Sequence, residues 1–401
     1  MPLKREVLNR IVDEARKLHS YVVEKRRNFH MYPELGYEEV RTSGIVEKEL
    51  RALGYRVVRA AKTGVIGVLE GGSPGPTVAL RADMDALPIE ELNDVPYRSR
   101  VKGKMHACGH DAHTAMLLGA ARILASIKDE LRGRAKLVFQ PAEEGGLGAK
   151  RIVEEGHIDD VDAMFGMHVW IELPSGTIGI REGPFLASAD AFRIVVRGKG
   201  GHGAAPHMAR DPVAALFDMG NAIYRIITRE IDPLEPAVVS ITKVEAGSAF
   251  NVIPEEAVAM GTIRTFNEEV RNRIVERMRE IVEGYARSLG LEARLELAME
   301  YNPPTINNAS LARFARRVLE PLKIAPIAEP RPTMGAEDFA FYARKVPSLF
   351  IALGIRNEKK GIVHPHHNPR FDVDEDVLWI GTAVYALMAY AYLEERPSVK
   401  G

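Results

Sequence analysis

Cysteine is almost absent from this chain, since Cys108 is the only one among 401 residues. A single thiol cannot close an internal disulfide, so a fold held by disulfides is excluded and we expect a protein of the reducing cytoplasm. The charged amino terminus, MPLKREVLNRIVDEARK, lacks the apolar core of a secretory signal, which supports the same expectation. Glutamine is equally scarce, with Gln140 alone. This scarcity, together with many Arg- and Glu-rich helical segments, favours a thermophilic source.

The chain also lacks an excess of either charge. It contains 54 Lys and Arg residues against 55 Asp and Glu residues, for a formal net charge of −1. Nucleic acids and anionic membranes attract proteins with a basic excess, so binding to either is not expected. No apolar run approaches the roughly 18 residues needed to cross a bilayer. These absences leave a small molecule as the expected substrate.

The first 185 residues alternate between helical and strand patterns, and the total length suggests about two domains. Amphipathic helices are predicted over residues 5–27 and 37–53, and an apolar, buried helix over 112–127. Short strands are predicted at 65–70, 77–83, 135–140 and 162–168. Helices that separate short apolar strands predict an α/β fold, with a mostly parallel sheet covered by helices on both faces.

A different pattern begins near Gly183 and Pro184. Strands are predicted at 191–197, 237–244, 257–265 and 293–299, and helices at 211–230 and 268–289. Their order, β-α-β-β-α-β, is typical of a ferredoxin-like α+β domain. Patterns of the first kind then resume and end in a helix at 376–394. We therefore predict a catalytic domain formed by residues 1–186 and 300–401, interrupted by an inserted domain at 187–299.

Side chains of the metal-binding types follow or flank several of the predicted strands. Asp83 and Asp85 follow one strand, Glu143 and Glu144 follow another, and His168 ends a third, while the segment CGHDAH at 108–113 directly precedes the buried helix. A further cluster, His364, His366 and His367, lies in the returning carboxy-terminal part. Open α/β sheets bind ligands at the carboxyl ends of their strands. We therefore expect these side chains to gather at one edge of one sheet.

Thiolate, imidazole and carboxylate are the ligands that a zinc-like divalent ion prefers. The number of such groups exceeds the three protein ligands of one catalytic ion and suits two ions about 3.5–4 Å apart. The adjacent acids Glu143 and Glu144 can divide the work, one as a ligand and the other as general base on the attacking water. The pattern predicts metal-assisted hydrolysis.

Each feature alone also has an ordinary structural interpretation, and two alternative chemistries need consideration. The sequence GKGGHG at 198–203 matches a dinucleotide-binding pattern, but no helix begins directly after it, so nucleotide binding is not predicted. A cysteine hydrolase that used Cys108 would leave Glu143, Glu144 and His168 without a role. The joint occurrence of these residues favours the metal centre.

Eight motifs resemble, in content and order, those of the M20 metallopeptidases. They are HACGHDAH, QPAEEGG, FGMHV, GKGGHGAAPH, NVIPEE, GTIRT, MGAEDF and HNPRFDVDEDVL. The resemblance extends over nearly the whole chain and is to the subfamily of aminoacylases, hippurate hydrolases and auxin-conjugate hydrolases. The phrase RNEKKG is most similar to the archaeal thermostable carboxypeptidase/aminoacylase group.

The resemblance implies a role for each matching residue. The implied metal ligands are Cys108, His110, Glu144, His168 and His367. Glu143 matches the general base of the family, and Asp85 matches an acid that orients a ligand or the base. Many relatives carry His-x-Asp where this chain has Asp83-Met84-Asp85, so Asp83 is not assigned as a ligand. His366 remains the alternative to His367.

The inserted domain, by the same resemblance, is a lid and dimerisation domain. His202 matches a lid histidine that stabilises the oxyanion from the partner of a dimer. Asn251 and Arg264 match positions that hold the substrate carboxylate, for which a guanidinium is well shaped. The resemblance therefore implies a homodimer or homotetramer.

We predict a cytoplasmic hydrolase with two divalent ions, Zn²⁺ as the first choice and Mn²⁺ or Co²⁺ as alternatives. Its expected substrates are N-acyl amino acids or short peptides with a free carboxylate. The alternative hypothesis is a non-catalytic protein that binds amino-acid conjugates on the same fold. A missing base or ligand would favour that alternative, and every matched position is filled.

Overall fold

The computed structural model describes residues 3–398 of the chain. These residues form two compact units. The first comprises the chain up to Gly183, Ile306–Arg331 and the chain from Asp338 onward. The second comprises Pro184–Thr305 and Pro332–Glu337.

The helices and strands are numbered in chain order. The helices are α1 (Arg5–Lys17), α2 (His19–Met31), α3 (Val40–Ala52), α4 (His110–Ser126), α5 (Glu143–Gly146), α6 (Gly148–Glu154), α7 (Pro212–Arg229), α8 (Glu268–Leu289), α9 (Ala309–Leu319), α10 (Ala340–Lys345) and α11 (Leu378–Glu395). The strands are β1 (Arg56–Ala60), β2 (Gly64–Glu70), β3 (Ser73–Asp83), β4 (Arg132–Gln140), β5 (Ala163–Pro174), β6 (Ile178–Gly179), β7 (Gly183–Leu186), β8 (Ala189–Arg197), β9 (Gly201–His202), β10 (Ala237–Ala246), β11 (Val252–Ile253), β12 (Glu256–Thr265), β13 (Glu292–Asn302), β14 (Thr305–Asn307), β15 (Ile327–Ala328) and β16 (Ser348–Arg356).

The first unit is built on a sheet with the strand order β1-β2-β4-β3-β5-β16-β6-β15. Its central strands β4, β3, β5 and β16 are parallel to one another. The pairs β1–β2, β2–β4 and β6–β16 are antiparallel, and β15 pairs with β6 in parallel. The returning part of the chain contributes β16 to the centre of this sheet. The predicted α/β fold with a mainly parallel sheet is confirmed.

Helices cover both faces of this sheet, as the alternation along β16 shows. Leu349, Ile351 and Leu353 belong to the large apolar core that also contains α1, α4 and α11. Phe350 points to the other face, where its ring lies 4.9 Å from that of Phe339, just before α10. Burial on both faces explains why the central strands read as continuous apolar runs.

Helix α11 was not expected to be so apolar. Residues Glu375–Glu395 are long and apolar enough to cross a membrane, with a mean hydropathy of 1.3, so the prediction that no run approaches this length is wrong. However, 89% of this apolar stretch is buried inside the protein. Like α4, α11 is apolar around most of its circumference because it packs within a core rather than on a surface.

The single helix predicted over 5–27 is also wrong, because the chain forms α1 and α2 with a break at Leu18, where ψ is −1°. Buried Ile11 and Ala15 on α1 and Val22 on α2 keep nearly the same helical spacing across the break, so periodicity does not reveal it. Strand β1 was not predicted, because most of its side chains at the sheet edge are exposed.

The second unit is an antiparallel sheet with the order β10-β12-β8-β13, against which α7 and α8 pack. Helix α7 begins at a proline after Asp211, whose side chain accepts hydrogen bonds from the first turn. Helix α8 ends at Gly290 in the left-handed conformation. The order β8-α7-β10-β12-α8-β13 is the predicted ferredoxin-like arrangement.

Candidate active site

The parallel strands of the first unit bring the acidic segments together. Asp83, the last residue of β3, pairs with Gln140, the last residue of β4. The residues that follow therefore leave the same sheet edge, and Asp85 accepts hydrogen bonds from the backbone N–H groups of Glu143 and Glu144 at 3.0 and 2.9 Å. The expected gathering of these acids is present.

Strand β5 carries His168 into the same region. The prediction that this strand ends at His168 is wrong, because β5 continues to Pro174. Residues beyond His168 stay paired with β16, and Val169 and Ile171 extend the apolar pattern. His168 therefore lies within a rigid strand, with its Nε2 atom 3.4 Å from Cys108 Sγ.

The start of α4 depends on glycine at position 109. Gly109 has φ of 92°, and a Cβ atom built there would lie 2.3 Å from Cγ2 of Val169. Only glycine fits both the positive φ and this close approach. The resulting turn holds Cys108 and His110 against β5.

Among the groups of side chains that could hold a metal ion, two consist entirely of the five predicted ligands. The first group is Cys108, His110 and His168, and the second is Cys108, Glu144 and His367. Within each group the candidate ligand atoms lie within 4.8 Å of one another. The two groups share Cys108, which is 9% exposed. The geometry therefore resembles a pair of neighbouring sites with one common thiol.

The polar atoms of this cluster fit a cation. Nε2 of His110 and Oε1 of Glu144 are buried and make no hydrogen bond with any residue from 3 to 398. Buried polar atoms without partners cost free energy, and a bound ion would satisfy them. His110 Nε2 lies 3.9 Å from Glu144 Oε1, and His367 Nε2 lies 3.2 Å from the same oxygen.

The negative charges around the cluster also favour a bound cation. Burial alone would lower the pKa of His110, but the carboxylates of Asp83 and Asp85 outweigh it and raise that pKa to about 10. Burial, reinforced by the carboxylates of Glu144 and Glu143, raises the pKa of the Cys108 thiol well above its usual value. A negatively charged environment disfavours a free nucleophilic thiolate. A bound divalent cation would favour deprotonation of the thiol and would neutralise the charge of the carboxylates.

The carbonyl of Val169 accepts a hydrogen bond from one ring nitrogen of each of two neighbouring histidines, His168 and His366. His168 donates from Nδ1 to the Val169 carbonyl at 2.6 Å, which leaves its Nε2 facing Cys108. His366 donates from Nε2 to the same carbonyl at 3.0 Å. The two ligand groups therefore include His367 and not His366.

His113 and Asp83 form a buried pair beside the cluster that sequence reasoning did not assign. His113 donates from Nδ1 to Asp83 at 2.6 Å and accepts the Val169 N–H at Nε2, 2.9 Å away. Both ring nitrogens are used, so His113 is a support for β5 rather than a free ligand. The HDAH motif contained this signal, since His113 lies one helical turn after His110 on the same face.

His367 reaches the cluster through an unusual backbone conformation. Its φ is 66°, in the left-handed region, and its N–H donates to the Ala107 carbonyl at 2.8 Å. This bond joins the returning segment to the residue before Cys108. The side chain of His367 is 53% exposed, so this edge of the cluster is open to solvent.

The three predicted lid residues belong to the second unit. His202, on β9, is exposed and pairs through its backbone with Val252 of β11. Asn251 lies beside it, and its carbonyl accepts the N–H of Gly203 at 2.8 Å. Arg264, on β12, is partly buried and donates from Nε to Thr262 at 3.1 Å. Burial lowers the pKa of Arg264, with Asp190 opposing the change.

Comparison with known proteins gives the family. The model of peptidase family M20/M25/M40 matches residues 79–391. Thermostable carboxypeptidase 1 of Saccharolobus solfataricus is 44% identical to this chain over 391 residues, which cover 96% of this chain and 99% of the relative. The chain belongs to peptidase family M20. The implied family membership is therefore confirmed.

Two further similarities extend this M20 assignment. The IAA-amino acid hydrolase ILR1-like 4 of Arabidopsis thaliana is 42% identical over 380 residues, with 94% of this chain and 86% of the relative covered. The structure of the YXEP protein of Bacillus subtilis, a dinuclear metal binding peptidase of the M20 family, has a TM-score of 0.83 at 37% identity. The matched region covers 94% of this chain and 99% of the YXEP chain. This M20 protein is an enzyme, a metallohydrolase, as the sequence predicted.

Proposed function

We propose that this M20 enzyme hydrolyses the amide bond between an acyl or aminoacyl group and an amino acid with a free carboxylate. The observation that carries the proposal is the pair of ligand groups joined by Cys108 beside the acid Glu143. Two relatives are named carboxypeptidase and IAA-amino acid hydrolase, and these names support the substrate class.

Cys108, His110 and His168 would hold one divalent ion, and Cys108, Glu144 and His367 the other. Thiol, imidazole and carboxylate donors suit Zn²⁺, with Mn²⁺ or Co²⁺ as alternatives. When bound, such a pair of ions polarises a carbonyl oxygen and activates water for attack. The buried Nε2 of His110 and Oε1 of Glu144, which lie 3.9 Å apart, support this assignment.

Glu143 would supply the proton transfers. As general base it accepts a proton from the attacking water, whose oxygen bonds to the carbonyl carbon. As the C–N bond breaks, Glu143 returns that proton to the leaving nitrogen of the amino acid. Asp85 supports this role, because its carboxylate holds the backbone N–H groups of both Glu143 and Glu144.

The inserted domain, residues 187–299, would act as a lid and dimerisation domain. His202 would stabilise the oxyanion from the partner subunit, and Asn251 and Arg264 would hold the substrate carboxylate. A homodimer or homotetramer is supported by features of the second unit itself: β10 is an edge strand, and Phe217, Val244 and Phe250 are 64%, 53% and 103% exposed. We further propose a cytoplasmic protein of thermophilic origin.

Metal removal and substrate screening test the proposal together. Chelated protein should be inactive, and reloading with Zn²⁺, Mn²⁺ or Co²⁺ separately should restore hydrolysis of N-acetyl and N-benzoyl amino acids or dipeptides. Matched substrates with an amidated carboxyl terminus should react poorly, because the group for Arg264 is gone. Full activity in thoroughly demetallated protein would exclude the mechanism.

The paired glutamates give a sharper test of the roles. Glu143→Gln should keep its metals and lose about 10²–10⁴-fold in kcat, the usual contribution of a positioned acid–base. Glu144→Gln should instead bind metal more weakly. Elemental analysis beside steady-state kinetics distinguishes the two, and the opposite pattern would mean that their roles are reversed.

A further inference from the structure

Three successive backbone N–H groups at the start of the Glu143–Glu144 turn donate to carboxylates. Those of Glu143 and Glu144 donate to the two oxygens of Asp85. The N–H of Ala142 donates to Oε1 of a different acid, Glu39, at 2.8 Å. The backbone of the turn that carries the proposed base is therefore held by hydrogen bonds to two side chains, Glu39 and Asp85. The turn lies just beyond the end of β4.

The backbone of this turn needs such support. Ala142 has φ of 51° and ψ of 48°, and Leu147 has φ of 53° and ψ of 47°. Both lie in the left-handed region, where residues with a Cβ are strained. Strained conformations persist only where the surroundings hold them. The position of the Glu143 side chain thus depends on the groups that bind the backbone of the turn.

Burial and a second hydrogen bond fix the position of the Glu39 carboxyl group. It is fully buried, and Thr63 donates to its other oxygen, Oε2, at 2.6 Å. Burial raises the pKa of Glu39 to about 7, the Thr63 hydroxyl opposes the change, and the Asp85 carboxylate adds to it. Oε1 can accept the Ala142 N–H in either protonation state, so the contact does not depend on this titration.

The chain around Glu39 touches the same turn at two more points. A Cβ atom built on Gly36 would lie 3.0 Å from Cβ of Ala142, so the two backbones approach closely. The Tyr37 hydroxyl donates to the Gly146 carbonyl at 2.6 Å. Residues 36–39 therefore brace the turn at its beginning and at its end.

We propose that Glu39 is a positioning residue that fixes the side chain of Glu143 by holding the Ala142 N–H. The inference rests on the proposed role of Glu143 as general base. Glu39 would act through the backbone, since its two side-chain oxygens accept hydrogen bonds from the Ala142 N–H and the Thr63 hydroxyl. A misplacement of about 1 Å at a catalytic group can cost about 10²-fold in rate, which sets the expected scale.

The test compares three single variants of the metal-loaded enzyme. Glu39→Leu removes the acceptor at similar size and should lower kcat about 10- to 100-fold, with KM and bound metal per chain unchanged. Glu39→Gln keeps an amide oxygen for the Ala142 N–H and should restore most of the activity. Thr63→Val removes only the hydrogen bond to Oε2 and leaves Oε1 to accept the Ala142 N–H, so it should lower kcat less than Glu39→Leu does.

A double variant keeps the test decisive if Glu39→Leu folds poorly. Glycine adopts the φ of position 142 without strain, so adding Ala142→Gly to Glu39→Leu should recover part of the lost kcat. Wild-type kcat in Glu39→Leu would overturn the inference. So would a loss of kcat matched by loss of metal, or no recovery in the double variant. If Glu143→Gln itself stays active, the proposed function fails instead.

Discussion

Cys108 illustrates how strongly a residue depends on its surroundings. Its thiol belongs to both ligand groups, and burial together with neighbouring carboxylates raises its pKa. Cys108→Ser should therefore weaken binding of both ions, because a hydroxyl is a far poorer anionic ligand than a thiol. Titration with a competing chelator measures the affinities. A variant that lost activity but held both ions unchanged would point to a nucleophilic cysteine.

A second residue-scale prediction concerns His30 on α2. Its Nδ1 lies 2.8 Å from Asp111 and its Nε2 lies 3.1 Å from Glu91, all three side chains being buried. Burial and Arg26 lower the pKa of His30, but the two carboxylates raise it to about 9. Because the folded-state pKa exceeds the ordinary value near 6.5, the charged ring stabilises the fold below that value. This contribution is lost as the pH rises through about 9.

His30→Gln should therefore destabilise the protein more at pH 6 than at pH 10. The rise in the pKa of His30 from 6.5 to about 9 corresponds to about 3 kcal/mol. The free energy of unfolding lost in the variant should be larger at pH 6 than at pH 10 by about this amount. Denaturant unfolding of both metal-loaded proteins at the two pH values measures it. An equal destabilisation at both would mean that His30 is neutral in the folded protein.

Among the elements, the turn into α4 is the most constrained part of the site. Gly109→Ala adds both a strained φ and an overlap with Val169, so it should displace Cys108 and weaken metal binding. Gly54→Ala is the matched control, because Gly54 has φ of 85° but nothing lies within 4 Å of an added Cβ. The control should lower the melting temperature and leave metal content unchanged. Equal metal content in both variants would contradict the prediction.

The elements also show what the sequence could predict. Helix α8 matches the predicted range 268–289, and the structure shows Asn267 capping its start and Gly290 its end. Helix periodicity carries across Leu18 unchanged, so the break between α1 and α2 is invisible in it. Strand order places Asp85 beside the Glu143 turn, and general rules for α/β sheets predict this. The hydrogen bond from the Ala142 N–H to the Glu39 carboxylate joins residues 103 apart in sequence, and no sequence pattern predicts it.

At the scale of the whole molecule, the proposed lid raises the question of which subunit completes the site. His202 lies in the second unit, on a Gly-rich segment far in sequence from the ligand groups. Its proposed role at the reacting carbonyl is what the family resemblance implies. We predict that it acts in trans, so that Glu143→Ala and His202→Ala homodimers should each be nearly inactive.

A mixture of the two variants distinguishes the arrangements. A hybrid dimer contains one site with an intact Glu143 from one subunit and an intact His202 from the other. Random re-pairing gives about half hybrids, each with one repaired site of two, so the mixture should recover roughly a quarter of wild-type activity. If His202 served its own subunit, every site in the mixture would lack one group. No recovery after confirmed subunit exchange would therefore refute the trans arrangement and leave the metal mechanism standing.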